Sequence, residues 1–360
     1  MSAWQERGDY RAALPDAPTP EAYVEALSET FASAAAAVGG PCDYYFDLAD
    51  FRVRVRFAGP ALLDRLGEAL AHRAMPHGPA ALTICVWDSA STGVSLPCKA
   101  WEWSDSWRRG LIQGFNNQRF RTLFQHNLEA FSILDARRGL AFYWMQDAAC
   151  CPSFERGAPF RYIFHWWLSR QGRYLVHAGA VGTSAGGVLL AGKGGSGKSS
   201  TALACLPSEL LHAGDDYVLI AERPDPFVYS LYQSTKLLAD QLPRFPHLAR
   251  AVSNADQLDR EKALIFLQQG YARKLVAGFP IKAILLPRVT GLRDTRLQPA
   301  TPTQTLAALA PSTVVQLHGL DKNSLQAMVS MAHGVPSFAL ELGTDRAQIP
   351  SVIQSLLTPG

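Results

Sequence analysis

The stretch GVLLAGKGGSGKSSTALACL, residues 187 to 206, decides how the rest of the chain is read. Its first five residues are an apolar run of strand length, and its last seven, STALACL, are helix-forming. Between them Gly192-Lys193-Gly194-Gly195-Ser196-Gly197-Lys198-Ser199 satisfies G-x-x-x-x-G-K-[ST] in full. Glycines let successive N–H groups turn inward, and the helix that follows begins with unpaired donors and a partial positive charge. The pattern therefore predicts a cradle for the polyphosphate of a nucleotide. Lys198 would bridge the β and γ phosphates, Ser199 would offer its hydroxyl to Mg²⁺, and Ser200 and Thr201 would fill the first helical turn. A plain glycine turn would need neither the flanking strand nor the Lys-Ser pair.

Working outward, His177 lies 21 residues before Lys198, at the end of the strand candidate RYLV. Asp215 and Asp216 lie 17 and 18 residues after it, just ahead of the strand candidate YVLI. An Asp pair elsewhere would read as a solvated turn, and a lone His as a satisfied core residue. Their distance from the glycine loop gives both a second reading, as parts of a phosphoryl-transfer site, with Asp215 the Mg²⁺ partner, directly or through water.

With these spacings the chain resembles the HPr kinase/phosphorylase family. The catalytic domain of that family shows a His before the loop, G-x-x-G-x-G-K-S, and an Asp-Asp pair after the next helix. The agreement is close over about 45 residues, extends in order of elements over roughly 165 to 350, and leaves out 1 to 150. It looks most like the divergent HPr-kinase-like proteins, some of which modify peptides such as lasso-peptide precursors.

The resemblance implies an α/β fold, a P-loop kinase core of HPr-kinase/PEP-carboxykinase-like type, with an additional N-terminal α+β domain. The expected division is 1–155 and 156–360. It also implies ATP and Mg²⁺ as cofactors, Asp216 as the base, His177 as the group that positions it, and a homo-oligomer, since HPr kinases are hexamers.

The departures are specific. HPr kinases carry Glu where this chain has Ser200, and their arginine-and-glycine signature is replaced by SLYQSTKLLAD. Phosphorolysis and HPr itself as acceptor are therefore not implied. Lys236 and Lys262 are candidates for the positive charge of the missing arginine, against a reading as solvated lysines. The expected activity is transfer of the γ-phosphoryl group to a serine of a peptide or small protein, with a small-molecule alcohol as the near variant. A nucleotide-gated assembly module, in which Asp216 and His177 have no necessary task, is the alternative from another class.

Composition sets the outer limits. A chain of 360 residues, 48% hydrophobic and 18% charged, is long and apolar enough for a large core. Its 34 basic and 31 acidic residues show no basic block, so neither nucleic acid nor an anionic membrane is an expected partner. Six cysteines without framework spacing, and an N-terminus without the basic-then-apolar order of a signal peptide, point to the cytoplasm. Cys150 and Cys151 are expected as a reduced pair.

The N-terminal region reads as paired strands over YYFDLADFRVRVRFAG, a helix over ALLDRLGEALAHR, a strand at ALTICVW and a hairpin turning near Arg137–Gly139. Trp101, Trp103 and Trp107 are open to either core packing or ligand stacking. CPSFERGAP reads as a linker, FRYIFHWWLSRQG as an amphipathic helix and ADQLDREKALIFLQQ as a helix.

Overall fold

The computed structural model describes residues 18–97, 110–112, 114–222, 225–317 and 322–358. Trp101, Trp103 and Trp107 lie outside them. The chain is mixed α/β and divides into two compact units. The first runs to Asp43 and adds Val55–Leu62 and Leu82–Cys150; the second is Tyr44–Arg54, Leu63–Ala81 and Cys151–Gly360. Two N-terminal stretches are thus counted with the C-terminal unit.

In chain order the N-terminal elements are α1 (Pro20–Ala37), β1 (Pro41–Leu48), β2 (Phe51–Ala58), α2 (Pro60–Leu66), β3 (Leu82–Asp88), α3 (Ser89–Thr92), β4 (Phe120–Gln125), β5 (Ala130–Asp135) and β6 (Leu140–Met145). The strands form one sheet in the order β1-β2-β3-β6-β5-β4, with β3 and β6 parallel. The expected hairpin of β5 and β6 is present, and its turn is tied down by Asp135, which accepts from the Arg137 and Arg138 N–H groups. Helix α1 was not foreseen. Thr19 caps it, Pro20 starts it, and Tyr23, Leu27, Phe31 and Ala34 make the buried stripe.

The second unit adds α4 (Ser153–Arg156), α5 (Arg161–Leu168), β7 (Tyr174–Val176), β8 (Ala178–Thr183), β9 (Gly186–Ala191), α6 (Lys198–Cys205), β10 (Leu211–Gly214), β11 (Val218–Ala221), β12 (Phe227–Tyr229), β13 (Ser234–Leu237), β14 (Ala263–Phe266), α7 (Gln268–Tyr271), β15 (Gly278–Val289), β16 (Arg296–Pro299), α8 (Pro302–Gln316), α9 (Lys322–Gly334), β17 (Ser337–Leu342) and α10 (Gln348–Leu357). The main sheet runs β10-β8-β9-β15-β12-β11-β7, with β17 parallel to the far half of β15 and β16 beside β17.

Residues of the central strands alternate between two cores. Ala178, Ala180, Leu189, Ala191 and Ile284 pack with Leu309 of α8 and Met328 and Met331 of α9. Val181, Val188, Leu190 and Leu285 pack with Ala202 and Cys205 of α6 and Ile349 and Ile353 of α10. A sheet covered on both faces buries every residue of a strand, which is why β9 reads as an unbroken apolar run.

Three expectations change. CPSFERGAP is no exposed connector: it turns through α4, and the buried Glu155 accepts from Arg161 at 2.9 Å. Helix α5 forms where the amphipathic pattern places it, but it has no solvent face, since all eight of its residues are buried, Phe164 against Phe46 and Trp167 against Phe51. The helix expected across 255–269 is instead the strand β14, paired antiparallel with β13. Asn254 holds it in place, donating to the Lys262 carbonyl at 2.9 Å and accepting from the Leu264 N–H at 2.7 Å. Four consecutive buried residues, Ala263–Phe266, suit a strand covered on both faces better than one stripe of a helix.

Cys150 and Cys151 are both free thiols, the first exposed and the second buried. No helix among the described residues is long and apolar enough to cross a membrane.

Candidate functional site

Strand β9 ends at Ala191, residues 192–197 form a loop, and α6 begins at Lys198. Gly197 precedes the helix with φ +109°, a conformation that disfavours side chains, and a Cβ there would meet Leu342 Cδ1 at 2.4 Å. No side chain caps α6, so its first-turn N–H groups face the loop without intrahelical partners. The Lys198 side chain folds back over the loop, its ammonium donating to the carbonyls of Gly192 at 2.6 Å and Lys193 at 3.3 Å. Burial draws its pKa down, assisted by the charge of Lys262 and opposed by Asp215 and Asp216. Ser196 packs against Gly192.

The Asp pair occupies the turn from β10 to β11, and its two carboxylates part company. Asp215 is buried; its Oδ1 accepts from Ser199 Oγ at 3.1 Å and its Oδ2 from Thr235 Oγ1 at 2.5 Å. Burial pushes its carboxyl above the ordinary value, against the pull of the two hydroxyls. Asp216 adopts φ +70°, uncommon for any residue but glycine, and this turns its carboxylate toward another set of partners. His177 Nε2 lies 3.0 Å from Oδ1 and Lys236 Nζ 2.7 Å from Oδ2. Burial would raise this carboxyl, but Lys236 and His177 outweigh it and hold it well below the carboxylate range.

Consecutive residues of β13 thus serve consecutive aspartates, Thr235 on Asp215 and Lys236 on Asp216. His177 is fixed at its backbone, where its N–H donates to Thr313 Oγ1 of α8 at 3.1 Å. Its Nδ1 faces Gln316 Nε2, one turn further along α8, at 3.4 Å. Gln316 Oε1 accepts from Tyr217 Oη.

These groups surround one cavity of about 1100 Å³. His177, Gly194, Gly195, Gly197, Lys198, Ser199, Ser200, Asp216, Lys236 and Lys262 line it. Asp215 sits behind Ser199, and Gly192, Lys193 and Ser196 form the back of the loop rather than the cavity wall. Thr235, Tyr217, Thr313 and Gln316 were not anticipated; they arrive from elements distant in sequence and carry no local mark.

Among the described residues there is no cluster of three or more His, Cys, Asp or Glu side chains suited to a metal ion. Ser199 and Asp215 supply two oxygens. This fits Mg²⁺, which is commonly held by one or two protein oxygens together with phosphate and water. A buried carboxylate with a raised pKa is a group that a cation would relieve.

No family model matches this chain, and no curated protein matches it. Among solved structures it is similar to the HPr(Ser) kinase/phosphatase from Coxiella burnetii, at 10% identity and a TM-score of 0.29, over 50% of this chain and 94% of that one.

Proposed function

We propose that the second unit is an ATP-dependent kinase with a P-loop core of HPr-kinase type, which transfers the γ-phosphoryl group to a hydroxyl, most simply a serine of a peptide or small protein. One observation carries the reading: the ammonium of Lys198, the carboxylate of Asp216 and the imidazole of His177 line the same cavity as the glycine loop. In-line phosphoryl transfer depends on positioning and on neutralising charge, and these are the parts it needs.

In this mechanism the loop N–H groups and the start of α6 hold the polyphosphate, and Lys198 exchanges its carbonyl partners for phosphate oxygens. Ser199 and Asp215 would hold Mg²⁺, which when bound would supply positive charge against the phosphate oxygens. The acceptor hydroxyl lies against Asp216. Its oxygen bonds to the γ phosphorus as the bond to the β-bridging oxygen breaks, ADP leaves, and the hydroxyl proton passes to Asp216. Lys236 covers Asp216 Oδ2 in the free chain; a polyphosphate that draws Lys236 toward itself frees that oxygen for the hydroxyl. Lys262, which acts electrostatically on Lys198 from the same cavity wall, adds a further positive charge.

The test is incubation of the chain with γ-labelled ATP, Mg²⁺ and either serine-bearing peptides or small alcohols. Label is expected on an acceptor hydroxyl, and Asp216→Asn is expected to bind nucleotide but transfer on the order of a hundredfold more slowly. Asn is the cleanest replacement because it tolerates the left-handed backbone of this position. Release of free phosphate alone, or undiminished transfer by Asp216→Asn, would defeat the proposal.

A further inference from the structure

We propose that Arg244 and Arg346 form a second anion subsite, apart from the glycine loop, that takes a phosphate or carboxylate group. Both side chains line the cavity. Of the other cations along its wall, Lys236 is met by Asp216, Arg161 by Glu155 and Lys198 by two loop carbonyls. Among the described residues neither Arg244 nor Arg346 has a carboxylate within ion-pair reach. The acids nearest in sequence are engaged elsewhere. Asp345 accepts from the Ala347 N–H at 3.2 Å and from Gln348 Nε2 at 3.1 Å, and Asp240 accepts from Gln241 Nε2 at 3.0 Å.

Two segments of the wall bring the pair together. Residues 236–244 lead away from Asp216 to Arg244, whose Nη1 donates to Gln241 Oε1 at 2.8 Å. Residues 342–346 lead away from Gly197 to Arg346, whose guanidinium carbon stands 5.3 Å from the centre of the Phe245 ring. Phe245 follows Arg244 directly, is buried, and shares an apolar cluster with Leu203 in the second turn of α6. The arginines therefore lie beside the body of α6 rather than at its start, where the loop N–H groups would hold polyphosphate. Burial and the charge of Arg244 lower the Arg346 pKa, as expected of like charges held near one another, and an anion would relieve both. Guanidinium forks also match the paired oxygens of a phosphate or carboxylate. In the proposed mechanism Lys198, Lys262 and the loop N–H groups already meet the polyphosphate, so the group at the arginine pair belongs to the acceptor. The acceptor is then a molecule that carries a phosphate or carboxylate besides its hydroxyl. That assignment rests on the kinase reading; the anion subsite does not.

Phenylglyoxal modification of the full chain, read arginine by arginine by mass spectrometry, tests the subsite, with the exposed Arg260 as control. Saturating inorganic phosphate, at constant ionic strength, is expected to slow modification of Arg244 and Arg346 by at least about fivefold and to leave Arg260 unchanged. The same slowing is expected in Lys198→Ala, where phosphate at the glycine loop is weakened. In Arg346→Gln the protection of Arg244 is expected to fall below about twofold. Protection that is absent, equal at Arg260 or lost in Lys198→Ala overturns the proposal, and so does full protection of Arg244 in Arg346→Gln. Repeating the measurement with a saturating non-hydrolysable ATP analogue and Mg²⁺ separates the sources of the anion. Phosphate is expected to protect the pair equally with the analogue present. Protection by the analogue alone, with nothing added by phosphate, would assign the group to the nucleotide, upholding the subsite and overturning the acceptor assignment. Protection by phosphate in a chain that transfers no label from ATP would uphold the subsite and end the kinase reading.

Discussion

At Asp216 the backbone takes a left-handed turn that lets neighbouring carboxylates face different ways, one toward the hydroxyl of Ser199 and one toward the imidazole of His177. Such a conformation costs on the order of 1 kcal/mol or more and persists only where the surroundings hold it. Here Lys236 and His177 are what hold it. Lys198 is equally constrained, being buried with its charge met by two loop carbonyls. Replacing it by Ala removes both the clamp on the loop and the charge offered to phosphate. Lys198→Ala is therefore expected to weaken nucleotide binding by about 3 kcal/mol, roughly a hundredfold, in a titration with a fluorescent nucleotide. Binding within a fewfold of wild type would show that the phosphates lie elsewhere.

Among the elements, the pair β13 and β14 matters most to the site, because β13 carries both Thr235 and Lys236. The pair is backed by an apolar cluster in which Ile265 and Leu237 meet Leu203 of α6, Leu206 just beyond its end, and the side chains of Phe245 and Leu248. Ile265→Ala leaves a cavity in it and is expected to cost about 2–4 kcal/mol, read from the shift of a urea midpoint. A midpoint unchanged within error would mean that this pair is not part of the cooperative unit.

These strands also mark the limit of what is legible along the chain. The glycine loop could be read because a cradle of this geometry constrains adjacent residues, whereas His177 and the Asp pair were singled out only by their spacing from it; His177 and Asp216 do line the same cavity as the loop. The alternating buried cores left their trace in VLLA and AILL. Strand β14 was misread because Glu261 and Lys262 favour a helix, whereas its partner strand lies about 30 residues away, at Ser234–Leu237. Gln316 reaches His177 across 139 residues of sequence, a separation at which no local pattern exists. Helix α1 could have been found from Thr19-Pro20 and its apolar spacing.

At the scale of the whole molecule, stability should depend on pH through histidines that the site does not use. His212 of β10 is buried, with neither ring nitrogen hydrogen-bonded among the described residues, and burial lowers its pKa to about 4. His72, which meets Ser230 Oγ at 2.7 Å, is lowered to about 3 by burial and by the charges of Arg73 and His212. An unfolded chain protonates histidine near pH 6.5 while the folded one does not. The contribution is therefore complete above pH 6.5 and is lost as pH falls toward 4. Between pH 7.5 and pH 5, His212 alone is expected to cost about 2 kcal/mol of stability, followed by chemical denaturation at each pH. His212→Leu should flatten that dependence, and an equal slope in the variant would remove His212 as its source.

The ammonium of Lys198, already fastened to the carbonyls of Gly192 and Lys193, has a thermodynamic consequence. Under the proposed function, an arriving polyphosphate would trade places with existing partners in a turn whose shape is set beforehand, so little ordering entropy would be spent on capture. On release of the proposed nucleotide, the lysine would have somewhere to return to, and the loop would reset without having to refold.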